Sequence, residues 1–74
     1  MNVTVDAKPA ISEIDGLAGT ITKIENQLGD TGRVFIRYSG TQPMCRVMVE
    51  AATKAEATRF CSQLAEIVKI QIGI

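Results

Sequence analysis

Seventy-four residues carry eight basic and eight acidic side chains, so the chain has no net charge and gives no reason to expect bulk attraction to nucleic acid or anionic lipid. A composition that is 46% hydrophobic and 22% charged is that of an ordinary globular chain, long enough for a single domain with a modest core. No apolar run approaches the roughly 20 residues of a membrane span, and histidine is absent, which removes the usual zinc-ligand patterns.

At the N-terminus Val3 and Val5 alternate with Asn2, Thr4 and Asp6, the pattern of a short strand that closes at Lys8-Pro9. Ile11, Ile14, Leu17, Ile21, Ile24 and Leu28 then recur every three or four residues, which places them on one face of an amphipathic helix with Glu13, Lys23 and Glu25 outside it. Ser12 or Asp15 is expected to cap its start, and Gly29 to end it in a left-handed conformation. Gly16 and Gly19 each cost about 1 kcal/mol relative to alanine inside a helix, so irregular first turns are expected.

Asp30-Thr31-Gly32 reads as a turn into a second strand, Arg33 to Tyr38, with Val34, Ile36 and Tyr38 on one face and Arg33, Phe35 and Arg37 on the other. A third strand, about Met44 to Ala51, alternates Cys45, Val47 and Val49 against Arg46, Met48 and Glu50. Thr53-Lys54-Ala55-Glu56 has the form of a capping box, in which Glu56 reaches back to the Thr53 N–H. It opens a second helix whose buried stripe is Ala57, Phe60, Cys61, Leu64, Ile67 and Val68. Ile70 to Ile74 alternates and suits either an edge strand or a frayed terminus. The order β-α-β-β-α, with an optional last strand, fits an α+β two-layer sandwich: an antiparallel sheet of about four strands with two helices on one face.

The stretch best suited to a ligand joins the second and third strands: Arg37-Tyr38-Ser39-Gly40-Thr41-Gln42-Pro43-Met44-Cys45-Arg46. Gly40 is expected to take a positive φ, so that the amides around Ser39, Gly40 and Thr41 form a concave nest. Two guanidinium groups, two hydroxyls and a row of amides are what a phosphate dianion requires. The same Ser, Gly, Thr and Pro also make a plain hairpin loop. Charge favours the first reading, because Thr31 to Val49 holds Arg33, Arg37 and Arg46 and no acid, whereas the rest of the chain holds five basic and eight acidic residues. Antiparallel pairing would bring Arg37 and Arg46 together at the mouth of the loop, and a slip of one residue would undo it. Cys45 and Cys61 form no C-x-x-C pair and suit small buried hydrophobes. No nucleophile–base pair is evident, and without a basic-then-apolar leader the expected compartment is the cytoplasm.

The run from Gly32 to Glu50, which reads G-R-V-x-x-R-x-S-G-T-x-P-x-x-R-V-M-V-E, resembles the C-terminal domain of the phosphohexomutases, most closely the phosphoglucosamine mutase branch. A weaker likeness in hydrophobic pattern extends from about Val3 to Ile70. The resemblance implies that residues 1–74 are one such domain, a small sheet backed by two helices and related to the TATA-box-binding-protein fold. It implies that the loop holds the sugar-phosphate group that is not being transferred. Arg37 and Arg46 would supply charge, Ser39 and Thr41 hydroxyls and amides, and Gly40 an amide. Two departures stand out: Gln42 where many relatives have Glu, and Tyr38, free to stack on or donate to a ligand, where they have Pro.

The whole enzyme implied would interconvert glucosamine 6-phosphate and glucosamine 1-phosphate through a bisphosphorylated sugar, with a phosphoserine and Mg²⁺. Neither the serine loop nor the acidic metal loop is found in this sequence, so the chain alone is expected to be inactive and to bind no metal itself. Its implied partners are the phosphosugar and the remaining domains of the parent enzyme. A glucose- or mannose-phosphate mutase would use the same loop. A stand-alone RNA-binding module is a further alternative, disfavoured by the zero net charge and by Tyr38 being the one aromatic near the loop.

Overall fold

Side chains that alternate between apolar and polar commit the middle of the chain to a sheet. In the computed structural model, which describes residues 1–74, they form β2 (Arg33–Tyr38) and β3 (Met44–Glu50), paired antiparallel. The inner face joins Val34 to Val49, Ile36 to Val47 and Tyr38 to Cys45. The outer face joins Arg33 to Glu50, Phe35 to Met48 and Arg37 to Arg46. A short first strand, β1 (Asn2–Thr4), pairs with the other edge of β3 and sets Asn2 opposite Arg46 and Val3 opposite Cys45. The sheet order is therefore β1-β3-β2.

Both helices, α1 (Leu17–Leu28) and α2 (Lys54–Ile72), pack on the inner face. Val5, Cys45 and Val47 from the sheet side meet Leu17, Ile24 and Leu28 of α1 and Phe60, Leu64 and Val68 of α2 in one buried cluster. This is the expected two-layer α+β sandwich, with three strands instead of about four. The outer face stays open, leaving Phe35 and Met48 exposed. No helix is long and apolar enough to cross a membrane.

Two elements depart from the sequence reading. The apolar stripe from Ile11 to Leu28 is broken into a 3₁₀ turn, Ile11–Glu13, and α1. Gly16, at φ +79°, turns the chain between them, a conformation that costs a residue without Cβ little. It takes the N-cap position, and neither Ser12 nor Asp15 caps the helix. The second departure is Ile70 to Ile74, where helix α2 continues to Ile72. Leu64, Val68 and Ile72 are four residues apart, so the buried stripe persists at helical spacing and outweighs the local alternation. Neither an edge strand nor a frayed terminus results; the sheet side keeps a single bridge, with Asp6 N–H donating to Ile72 O at 2.7 Å and Ile74 N–H to Thr4 O at 3.2 Å.

Gly29 ends α1 at the expected positive φ, +55°, but its ψ of −128° lies outside the left-handed helical conformation. Only the forward half of the expected capping box forms: the Thr53 hydroxyl accepts from Glu56 N–H at 3.1 Å. The Glu56 carboxylate accepts from the Thr53 hydroxyl at 3.3 Å instead of reaching the Thr53 N–H.

Candidate functional site

The β2–β3 connection, Ser39 to Pro43, is shaped by its own hydrogen bonds. Ser39 N–H donates to Met44 O at 2.8 Å and Met44 N–H to Gln42 O at 2.8 Å, closing the loop onto the strand ends. Within it the Ser39 hydroxyl accepts from Thr41 N–H at 3.3 Å and Gln42 N–H at 3.2 Å. This local side-chain acceptor replaces the expected nest, because it draws two amides inward and lets the turn close without a left-handed residue. Gly40 accordingly does not adopt a positive φ. Its amide has no acceptor within the protein.

The strands deliver the charge. Arg37 is the next-to-last residue of β2 and Arg46 the third of β3, and the register sets them directly opposite on the outer face. Both side chains are exposed and neither is ion-paired. Together with Tyr38, Ser39 and Gly40 they line a cleft of about 310 Å³. Thr41 belongs to the same loop but does not line this cleft. Thus four of the five site residues singled out from the sequence, Arg37, Ser39, Gly40 and Arg46, share one concave surface.

The third arginine of the acid-free stretch is elsewhere. Arg33 pairs with Glu50 at 3.5 Å at the far end of the strands and lies over the Phe35 ring, so it adds no charge to the loop. Nor is the Tyr38 hydroxyl available to a ligand. Tyr38 faces inward, its hydroxyl donates to Pro9 O at 2.6 Å, and burial followed by the neighbouring Cys45 raises its pKa. Cys45 and Cys61 are buried, as expected for small hydrophobes. Burial raises the pKa of the Cys45 thiol, and Cys61 donates to Val47 O at 3.1 Å.

One participant is not apparent in the sequence. Lys8 donates from Nζ to Ser39 O at 2.7 Å, and beside it Val5 N–H donates to Pro43 O at 2.8 Å. With the Tyr38–Pro9 bond, these contacts lash residues 5–9 to the loop. Lys8 and Ser39 are 31 positions apart, and no local pattern announces the contact.

A family model described as the phosphoglucomutase/phosphomannomutase C-terminal domain matches residues 1–67. The chain belongs to this family. Among relatives of the phosphoglucomutase/phosphomannomutase C-terminal domain, the phosphoglucosamine mutase of Syntrophus aciditrophicus is 47% identical over 73 residues, that of Syntrophobacter fumaroxidans 45% over 73, and that of Protochlamydia amoebophila 40% over 74. Each match covers 99% or more of this chain but 16% of the relative. The loop and the paired arginines are thus carried by a phosphoglucomutase/phosphomannomutase C-terminal domain that spans about 16% of the length of the relatives it matches.

Proposed function

We propose that this chain is the substrate-phosphate-binding domain of a phosphoglucosamine mutase, and that Arg37, Ser39, Gly40 and Arg46, which share the cleft, hold the phosphate of a glucosamine phosphate. The observation that carries the reading is the Arg37–Arg46 pair: two unpaired guanidinium groups side by side at the mouth of a loop with a free amide. Paired arginines present several N–H donors in the fork geometry that phosphate oxygens accept. The phosphate held here is the one not undergoing transfer. Fixing it orients the distant sugar hydroxyl, so binding energy at this loop promotes a reaction elsewhere.

The parent enzyme interconverts glucosamine 6-phosphate and glucosamine 1-phosphate, and this domain closes over the substrate against the other domains. The Mg²⁺ implied by the resemblance is assigned to those other domains, where the resemblance also places the acidic metal loop. Relatives named phosphoglucosamine mutase at 36–47% identity favour the amino sugar over glucose or mannose.

An amide-shift titration with glucosamine 6-phosphate tests the reading. Saturable shifts confined to residues 37–46, and lost in Arg37→Ala, are expected. Shifts that persist in Arg37→Ala, or that spread evenly over the surface, would refute it.

A further inference from the structure

We infer that Lys8 is a positioning residue of the phosphate loop, whose ammonium group holds the Ser39–Gly40 peptide in the orientation that presents the Gly40 amide to the phosphate. The inference rests on the phosphate reading above and names a residue outside the loop motif.

Hydrogen bonds fix the peptide planes of the loop one by one. The Tyr38–Ser39 plane is tied by Ser39 N–H to Met44 O, and the Gln42–Pro43 plane by Gln42 O to Met44 N–H. The Gly40–Thr41 and Thr41–Gln42 planes are tied by their amides to the Ser39 hydroxyl. Between them the Ser39–Gly40 plane has an amide with no partner, and its carbonyl is held from outside the loop by Lys8 Nζ at 2.7 Å. A trans peptide is planar, so its C=O and N–H point in opposite directions, and the chain has no cis bonds. Drawing the Ser39 carbonyl toward Lys8 therefore turns the Gly40 N–H away from Lys8, on a residue that lines the cleft with Arg37 and Arg46. With no Cβ at Gly40 the plane has little intrinsic preference. Turned over, it would aim a carbonyl oxygen where the N–H now points, which repels an anion.

Lys8 is itself well placed for this. Pro9 restricts its backbone, and the Val5–Pro43 and Tyr38–Pro9 hydrogen bonds secure the chain on either side of it. The bond to Ser39 is charge-assisted, which suits an exposed position.

The test is a titration of the whole chain with inorganic phosphate, followed by amide shifts and ¹⁵N relaxation, in the native sequence, Lys8→Met, Lys8→Arg and Arg37→Ala. Lys8→Met is expected to weaken binding roughly three- to tenfold, the range for loss of one hydrogen bond. It should also lower the Gly40 order parameter before ligand is added and abolish the Gly40 shift on titration. Lys8→Arg should restore all three. The slope of log K against log salt should stay native in Lys8→Met, because the ammonium acts on the loop and not on the anion. Unchanged shifts outside residues 5–9 and 37–46 will confirm that the variant is folded. Native affinity and a native Gly40 shift in Lys8→Met, with binding lost in Arg37→Ala, would overturn the role of Lys8 alone. Weaker binding with a shallower salt slope and an unaltered Gly40 would make Lys8 a direct phosphate contact and overturn positioning. If the native chain binds no phosphate, the phosphate reading fails and this inference with it.

Discussion

Arg37 and Arg46 stand directly opposite each other on β2 and β3, two rungs along the outer face from the rung where Arg33 meets Glu50. Between these rungs lie Phe35 and Met48, so the face grades from a neutralised ion pair through an apolar pair to two unneutralised cations. Like charges directly opposite in an antiparallel sheet are destabilising. The fold thus carries an electrostatic cost at the one place where a bound anion would remove it.

Replacing Arg46 by Gln should separate stability from binding. In phosphate-free buffer at low salt, Arg46→Gln is expected to stabilise the domain by about 0.2–1 kcal/mol, by relieving the cross-strand repulsion. With inorganic phosphate at ten times its dissociation constant, the native chain should gain about 1.4 kcal/mol and the variant far less. Urea denaturation with and without phosphate measures both. Equal gains in the two proteins would show that the anion binds elsewhere.

Two glycines should respond to alanine in opposite senses. Gly19 lies inside α1 with open space where a Cβ would project, so Gly19→Ala should stabilise by about 0.5–1 kcal/mol through helix propensity. Gly32 has an ordinary extended backbone, yet a Cβ there would run into the Glu50 carbonyl at the end of β3. Gly32→Ala should therefore lower the melting temperature by forcing the start of β2 off its partner. Similar melting temperatures for the two variants would refute the steric account.

These cases mark what was legible in the sequence. The bounds of β2 and the inward and outward sides of β3 followed from strict alternation, because an open sheet face forces period two on both strands. The opposition of Arg37 and Arg46 then followed from the short loop between them. The conformation of Gly40 was not legible, since it turns on whether the Ser39 hydroxyl captures the neighbouring amides. Lys8 was not legible either, because its role depends on where the chain after β1 passes the loop. Ile70 to Ile74 misled because five residues hold too few periods to separate strand from helix.

The Thr53 cap matters more than one hydrogen bond implies. It accepts from Glu56 N–H at the start of α2, the helix that supplies Phe60, Leu64 and Val68 to the core. Thr53→Ala should cost about 1 kcal/mol, and Thr53→Ser should recover most of it. Because residue 53 is remote from the loop, phosphate affinity should be native in both variants. A Thr53→Ala chain as stable as the native one would remove the cap from the account.

Alkaline pH should expose the Tyr38–Pro9 anchor. Burial and the nearby Cys45 raise the Tyr38 pKa above its ordinary value, so the fold favours the neutral phenol, which alone can donate to Pro9 O. The sign follows from linkage: this stabilisation is complete below the unfolded-state pKa of about 10 and is lost as pH rises through the higher folded-state value. Tyr38→Phe should cost about 0.5–1.5 kcal/mol at neutral pH, the range for one net hydrogen bond. Its stability should then fall less steeply than that of the native chain between pH 9 and pH 11, a window set by the ordinary phenol value of about 10. Cys45, whose pKa burial also raises, titrates in both proteins and leaves a shared residual decline. Urea midpoints across that window provide the comparison. Parallel native and Tyr38→Phe curves would mean that the phenol ionises as easily folded as unfolded, and that Pro9 is not held by it.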